Sequence, residues 1–225
     1  MEKISKATLI STIALLATAA SATAHAGFGI GARAGTLGLT YEATLGFTDF
    51  LAIRAGVNGY DTDYDTTEDE INYNFDADLK SRHLLLDVHP FAGTFRITGG
   101  FVQQDTLFTG VGTSNTSYTI GSTTYSPADI GSVTASAGWD DRYSYIGLGW
   151  GKSPSGEGFG FSFDVGVVLQ ESPTVNIVVD SPLLNDPVAG PQLQANIDEE
   201  EAQLRSDMEE FDTYPVISLG ISYHF

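Results

Sequence analysis

Cysteine is absent from this chain of 225 residues. The fold therefore has no disulfide bonds to stabilise it, and lipid attachment to an N-terminal cysteine is excluded. Beyond residues 1–26 the chain also lacks an apolar run of helix length, whereas a membrane-spanning helix needs about 20 apolar residues. Roughly 200 residues follow that first segment, which is the size of one ordinary domain.

Basic residues are scarce. The chain has 10 lysines and arginines against 29 aspartates and glutamates, a formal net charge of −19. Loss of Glu2, Lys3 and Lys6 with the N-terminal segment makes that charge −20. A chain this acidic has no electrostatic reason to bind nucleic acid or to lay a helix on an anionic membrane surface. We therefore expect no nucleic-acid partner.

The N-terminal segment has the order of a secretory signal peptide. Lys3 and Lys6 precede an apolar run over residues 7–20, and small residues then close the segment. This order predicts a cleaved signal peptide over residues 1–26 and a mature domain over residues 27–225. The chain is therefore expected to be exported.

Two cleavage positions fit the small residues that close this segment. Cleavage after Ala26 is preferred, and cleavage after Ala24 is the alternative. An uncleaved membrane anchor is a further alternative. Against it, the apolar run is rich in alanine and threonine and is shorter than the roughly 20 strongly apolar residues of a spanning helix.

The C-terminal segment, Thr213–Phe225, alternates between two kinds of side chain. One set is Pro215, Ile217, Leu219, Ile221, Tyr223 and Phe225, and the other is Val216, Ser218, Gly220, Ser222 and His224. A period of two indicates a β-strand, because successive side chains point to opposite faces. An apolar face backed by small polar residues is typical of a membrane barrel, in which one face meets lipid and the other a polar lumen.

Seven earlier segments alternate in the same way. They are residues 27–35, 39–47, 51–58, a longer strand ending at 83–89, and residues 95–101, 142–151 and 159–170. Short links at 48–49, 90–94 and 152–158 alternate with long polar links at 60–73, 108–140 and 171–212. Short turns at one end and long loops at the other predict an all-β, antiparallel, up-and-down, eight-stranded transmembrane β-barrel.

The terminal aromatic residue resembles the C-terminal signature of bacterial outer-membrane β-barrels, carried here by Ile221, Tyr223 and Phe225. Together with the signal peptide and the alternating segments, the chain resembles the small barrels of the OmpA transmembrane-domain and OmpX type. That resemblance implies an outer-membrane location in a Gram-negative envelope, contact with lipid and lipopolysaccharide, and recognition of the last strand by the barrel-assembly machinery. No cofactor is implied.

Charged residues fall at inward positions of the predicted strands. They are Arg33, Glu42, Arg54, Asp87, Arg96 and Asp164. An eight-stranded barrel is narrow enough for side chains to fill, so these charges must pair with one another. We interpret them as a structural lumen network; a proton or ion path is the alternative. Arg82 shares the outward parity and is tolerable only near the rim.

The link after the third segment is strongly acidic. Residues 61–70 hold six carboxylates and no basic residue. Spaced acidic side chains suit Ca²⁺ or Mg²⁺, so divalent cations are expected as candidate partners of this loop. The order of ligands in an EF-hand is missing, however. No specific metal site is predicted, and a solvated acidic surface is the default interpretation.

The last link contains one predicted helix. Pro191 begins it, and apolar residues recur at Leu193, Ile197, Leu204, Met208 and Phe211. Acidic residues at 198–201 lie in its early turns, where the helix N-terminus favours negative charge. We expect an amphipathic helix that packs over the barrel mouth or neighbouring loops, with docking of a partner as the alternative.

Catalytic patterns are weak. His83, His89 and Asp87 form one cluster on the fourth strand, but six residues of strand separate the two histidines by roughly 20 Å. No nucleophile motif accompanies them. We therefore predict a non-enzymatic barrel with a role in surface interaction or envelope stability. The alternatives are a lipid A-modifying barrel enzyme and a soluble periplasmic, lipocalin-like carrier, which would carry its apolar face inside.

Overall fold

The computed structural model describes residues 27–68, 71–114, 117–209 and 211–225. Eight of its strands close an antiparallel barrel in which each pairs with the next around the wall and the last pairs with the first. They are β1 (Phe28–Gly35), β2 (Gly38–Thr48), β3 (Leu51–Glu68), β4 (Ile71–Val88), β5 (Phe95–Gln104), β10 (Arg142–Trp150), β11 (Gly158–Leu169) and β13 (Thr213–His224). The predicted eight-stranded barrel is confirmed. The predicted signal peptide, residues 1–26, lies outside the described residues.

The two ends of the barrel differ. Short connections at residues 49–50, 89–94 and 151–157 lie at one end, which we call the turn end. The long connections lie at the opposite, loop end. The link from β1 to β2 is a short turn at the loop end, where Gly38 takes a φ of 89°, a backbone conformation that favours glycine.

The long links at 60–73 and 108–140 consist mainly of strands, whereas the link at 171–212 contains one strand and the predicted helix. The prediction of the acidic link as a loop was wrong. The acidic link is a hairpin in which β3 continues to Glu68 and β4 begins at Ile71. Strands β6 (Thr106–Ser114), β9 (Ser132–Trp139) and β12 (Thr174–Asp180) prolong β5, β10 and β11 in the same way. The period of two continues through the acidic segment, because Tyr60, Thr62 and Tyr64 alternate with aspartates.

These prolonged strands carry the barrel wall outward as an open sheet. Strand β4 pairs with β5 near the barrel and with β6 farther out, and the register does not change between them: Ser81 lies opposite Gln104, and Asp78 lies opposite Leu107. Strand β9 then pairs with β6, and β12 pairs with β9. We call the following set the sheet extension: residues 60–68 of β3, residues 71–79 of β4 that pair with them, and strands β6, β9 and β12.

A small module with its own apolar core covers one side of the sheet extension. It consists of the hairpin β7 (Tyr118–Ile120) and β8 (Thr123–Tyr125), a 3-10 helix (Pro182–Asn185) and helix α1 (Ala189–Asp207). Its buried core is Ile120, Tyr125, Ile130, Val179, Leu193 and Ile197. The Asn196 Nδ2 donates a hydrogen bond of 2.6 Å to the Tyr125 hydroxyl. We call this unit the loop module.

Helix α1 begins two residues before the predicted start at Pro191. The Asp186 carboxylate accepts hydrogen bonds of 2.8 Å from the backbone N–H groups of Val188 and Ala189. These two hydrogen bonds lower the pKa of the exposed Asp186 carboxyl, and they satisfy donors that a helix N-terminus otherwise leaves free.

The apolar stripe of α1 is shorter than predicted. Leu193 and Ile197 are buried against the module core, as the spacing indicates. Phe211 lies beyond the end of the helix and is 54% exposed, so its place in the buried stripe was wrong. Within the described ranges of the chain, no helix is both long and apolar enough to cross a membrane.

The core of the loop module gives a first prediction. Replacement of Leu193 by Ala removes a fully buried side chain and should destabilise the module by about 2–5 kcal/mol, because a cavity remains. Limited proteolysis should then cut the module faster while the barrel stays protected. Leu184→Ala, in the 3-10 helix and 38% exposed, is the matched control. Equal cleavage rates for the two variants would contradict this account of the module core.

Candidate functional site

Six charged side chains meet inside the barrel. Each comes from an inward position of a different strand and is at most 8% exposed: Arg33 (β1), Glu42 (β2), Arg54 (β3), Asp87 (β4), Arg96 (β5) and Asp164 (β11). These are the six residues that the strand parity assigned to the lumen. Since all six strands surround one narrow space, the charges lie within reach of one another.

Glu42 joins two of the arginines. Its Oε1 accepts hydrogen bonds from Arg33 Nε at 2.9 Å and Nη2 at 2.6 Å. Its Oε2 lies 3.4 Å from Arg54 Nη1. One carboxylate therefore balances parts of two guanidinium groups from neighbouring strands.

Arg54 lies at the centre of the network. Its Nε is 2.5 Å from Asp87 Oδ2 and its Nη2 is 3.1 Å from Asp87 Oδ1. The same Nη2 lies 3.5 Å from Asp164 Oδ1, so Arg54 contacts all three carboxylates. Thr98 donates a further hydrogen bond of 2.6 Å to Asp87.

Asp164 closes the network on the other side of the lumen. Arg96 Nη2 donates to its two oxygens at 2.7 and 2.8 Å, and Arg33 forms an ion pair with it. Three guanidinium groups and three carboxylates thus balance in formal charge. That balance matters because an unpaired buried ion costs several kcal/mol.

Inward glycines make room for the large lumen side chains. A Cβ atom at Gly149 would lie 2.4 Å from Asp164 Oδ1 and 2.7 Å from Arg96 Nε. One at Gly147 would lie 2.4 Å from the Tyr145 hydroxyl. The strand parity placed both glycines on the inward face, but this role was not predicted. Inward glycines next to bulky inward residues are the signal that could have shown it.

An apolar layer lies on the loop side of the charged network. It consists of Leu85, Val102, Tyr145, Val168 and Val216, all buried. Members of this layer and of the charged network together line a cavity of about 40 Å³. Thr40, Asn58 and His83 line it, and Asn58 accepts a 2.5 Å hydrogen bond from Thr40 and donates a 2.7 Å bond to Ser81. The lumen is thus filled in two successive layers.

The histidines do not form a catalytic constellation with Asp87. His83 lies near Asn58, with its Nε2 3.7 Å from Glu42 Oε2. His89 is near the turn end, where its Nδ1 lies 2.7 Å from the carbonyl oxygen of Gly93. The two histidines that the sequence groups with Asp87 therefore lie at different levels of the barrel.

The acidic segment forms a ladder across the hairpin of β3 and β4. Asp61 lies opposite Asp78, and Asp63 lies opposite Asp76. Lys80 forms an ion pair with Asp78. In the described part of the chain no three acidic or histidine side chains converge to hold a metal ion. A divalent-cation contact at this segment stays a prediction.

The outward face of the barrel is apolar and widely exposed. Among its largest exposed side chains are Leu84, Phe101, Ile146, Phe159, Phe161 and Leu219. Aromatic rings gather at its turn end, where Trp150 lies 5.3 Å from Phe95 and 6.0 Å from Phe163 between ring centroids. Arg82, which shares the outward parity, is exposed on β4 beyond Leu84 toward the loop end.

The last strand contributes to this outward surface. Ile221, Tyr223 and Phe225, predicted as an assembly signal, all lie on the exposed face. The ring of Phe225 packs on Tyr223 at 4.9 Å and on Phe28 of the first strand at 5.9 Å. Reading of this segment by an assembly machinery stays a prediction.

Comparison with solved structures supports the fold. CarO2 of Acinetobacter baumannii aligns with a TM-score of 0.58 and 21% identity, over 88% of this chain and 98% of that chain. CarO of Acinetobacter baumannii aligns with the same TM-score and 17% identity, over 88% and 97%. At these identities the likeness concerns the fold alone. No protein-family model and no curated protein sequence matches the chain.

A more distant likeness is to a major outer membrane protein from Thermus thermophilus. It has a TM-score of 0.43 and 16% identity, over 89% of this chain and 99% of that chain. These three structures are not described as barrels of the OmpA or OmpX type, so the predicted resemblance to that type stays a prediction.

The central position of Arg54 gives a second prediction. Arg54→Ala leaves buried carboxylates short of a cation and should lower the free energy of unfolding by about 3–5 kcal/mol. Arg82→Ala removes an exposed arginine from the adjacent strand and should change it by less than about 1 kcal/mol. Urea unfolding of the purified proteins in detergent, followed by tryptophan fluorescence, measures both. Similar midpoints for the two variants would contradict the central role of Arg54.

Proposed function

We propose that this chain is a non-enzymatic integral protein of the bacterial outer membrane. The observation that carries the proposal is the polarity of the barrel wall. Apolar side chains such as Phe161, 85% exposed, and Leu219, 65% exposed, cover the outside, while the charges lie inside. An exposed apolar belt of this extent is costly in water and is stable in lipid.

The same polarity favours this function over a soluble lipocalin-like carrier. A soluble barrel would turn its apolar residues toward the lumen and its polar residues toward water. Here the lumen of the barrel is largely filled by the ion network and the apolar layer. The cavity of about 40 Å³ beside Thr40, Asn58 and His83 has room for water and is too small for a lipid chain, since sites for drug-sized ligands measure roughly 300–1,000 Å³.

We assign a structural role to the lumen network. Arg54 joins strands β2, β4 and β11 through their carboxylates, so the network holds opposite sides of the wall together. The spacing of His83 and His89 offers no support for a lipid A-modifying enzyme. We base the non-enzymatic interpretation on the ion network and on the separation of the two histidines.

In this proposal the loop end faces the cell exterior. The acidic hairpin and the loop module then act in surface interaction or envelope stability, in contact with lipopolysaccharide. Export through the signal peptide and recognition of the C-terminal strand by the barrel-assembly machinery belong to the same proposal. Recognition of the C-terminal strand is supported by its exposed aromatic end, where the ring of Phe225 stacks on Phe28.

A charge placed on the lipid face tests the location. Val165 lies near the middle of β11, points outward and is 41% exposed. Val165→Lys should cost roughly 2–4 kcal/mol at the bilayer midplane and should reduce the amount of folded protein in the outer-membrane fraction several-fold. Quantitative immunoblotting of fractionated cells measures that amount.

Val188→Lys is the matched control. Val188 precedes α1 in the loop module and is 83% exposed, so the same substitution should leave assembly unchanged. If Val165→Lys assembled as well as Val188→Lys, or if the wild-type protein were recovered as soluble material, the membrane location would be wrong.

A further inference from the structure

Strand β3 extends far beyond its neighbour β2. Pairing between the two strands reaches its outer limit where Leu39 lies opposite Gly59, whereas β3 continues to Glu68. Over residues 60–68 the described strands pair with β3 on one side only, through β4. The other side is a sheet edge nine residues long, and such an edge presents backbone hydrogen-bonding groups to an added strand.

The opposite edge of the sheet extension is protected. Strand β12 forms that edge, and helix α1 packs against it. The Glu201 carboxylate accepts a hydrogen bond of 3.4 Å from the backbone N–H of Ile177 in β12. The sheet extension therefore has two edges, and the loop module covers the one formed by β12. At the other edge residues 60–65 are all exposed.

The β3 edge has two chemically different faces. Asp61, Asp63 and Asp65 point to one side of the sheet, and Tyr60, Thr62 and Tyr64 point to the other. Tyr64 is 65% exposed and lies opposite Phe75. A strand added at this edge would therefore place alternate side chains against carboxylates and against aromatic rings.

The carboxylates on this face have an excess of negative charge. Asp61 and Asp63 lie directly opposite Asp78 and Asp76, an arrangement of like charges that is destabilising. Asp78 has an ion pair with Lys80, and Asp65 accepts a hydrogen bond of 2.5 Å from Asn74. Asp61, Asp63 and Asp76 have no ion pair within the described residues. Cationic side chains on an added strand would offset this repulsion.

We propose that the edge of β3 over residues 60–68 binds an extended cationic peptide by β-strand addition. The peptide carries Lys or Arg at every second position, facing Asp61 and Asp63, and apolar residues between them, facing Tyr60 and Tyr64. A second copy of this chain is disfavoured as the partner, because its own aspartates would meet the same face. The inference rests on the proposed function only for the location of this edge at the cell exterior.

A synthetic peptide tests the proposal on the purified full-length protein in zwitterionic detergent. The probe is a labelled nonapeptide that alternates Lys and Val, and fluorescence anisotropy measures its dissociation constant. One control peptide has the same sequence with alternate backbone nitrogens methylated, which keeps the charge and removes backbone donors. The alternating peptide should bind at least tenfold more tightly than the methylated one, because strand addition requires those N–H groups.

Charge variants of the protein locate the binding site. Asp61→Asn with Asp63→Asn should weaken binding of the alternating peptide about three- to tenfold, as expected for the loss of two exposed charge pairs. Asp198→Asn with Asp207→Asn on α1 is the matched control, since both carboxylates are exposed and each accepts a hydrogen bond from a glutamine. That control should bind like the wild type.

Three results would overturn the proposal: no binding of the alternating peptide, equal binding of the methylated peptide, or equal weakening by the two pairs of substitutions. The last two would indicate general attraction to an acidic surface. Failure here is distinguishable from failure of the proposed function. Suppose that the wild-type protein assembles in the outer membrane, that Val165→Lys reduces this assembly, and that no peptide binds. That result contradicts only the strand-addition proposal.

Discussion

Charge neutrality inside a narrow barrel is the constraint on which the rest of this structure depends. Eight strands enclose too little space for a wide aqueous channel, so three arginines and three acidic residues must balance one another directly. Arg54 contacts Glu42, Asp87 and Asp164 and so links strands on different sides of the wall. With the polar groups paired inside, the outer surface is left to the apolar half of each strand, and that half suits lipid.

Outside the barrel a different source of stability operates. The sheet extension has no closed wall, so its strands have free edges and need another surface to pack on. The loop module supplies that surface for β9 and β12, where Leu193 and Ile197 of α1 join the core beneath Val179. No packed element covers the β3 edge within the described residues, and exposed carboxylates lie along it instead. The molecule therefore combines a barrel whose lumen contains a network of ion pairs with an outer unit whose core is apolar.

Much of the barrel could be predicted from the sequence, because the period of two reports directly which side chains face inward. The inward positions of Arg33, Arg54 and Asp164 followed from that parity alone. The strand extension at the acidic link was missed because Asp61, Asp63 and Asp65 made a strand resemble a polar loop. The hydrogen-bonded partners in the lumen and the packing of α1 on β12 depend on strand register and long-range contacts, which one sequence does not encode in a readable pattern.

The two tryptophans provide the most direct test of the proposal that the apolar wall of the barrel faces lipid. Trp150 is on the outward face and 43% exposed, whereas Trp139 is 7% exposed and donates a 2.8 Å hydrogen bond to the Glu171 carbonyl. Single-tryptophan proteins, Trp139→Phe and Trp150→Phe, would be reconstituted in vesicles containing brominated lipids, and fluorescence quenching would be measured. We expect strong quenching of Trp150 and little quenching of Trp139. Equal quenching of both, or none of Trp150, would contradict a barrel whose apolar face meets lipid.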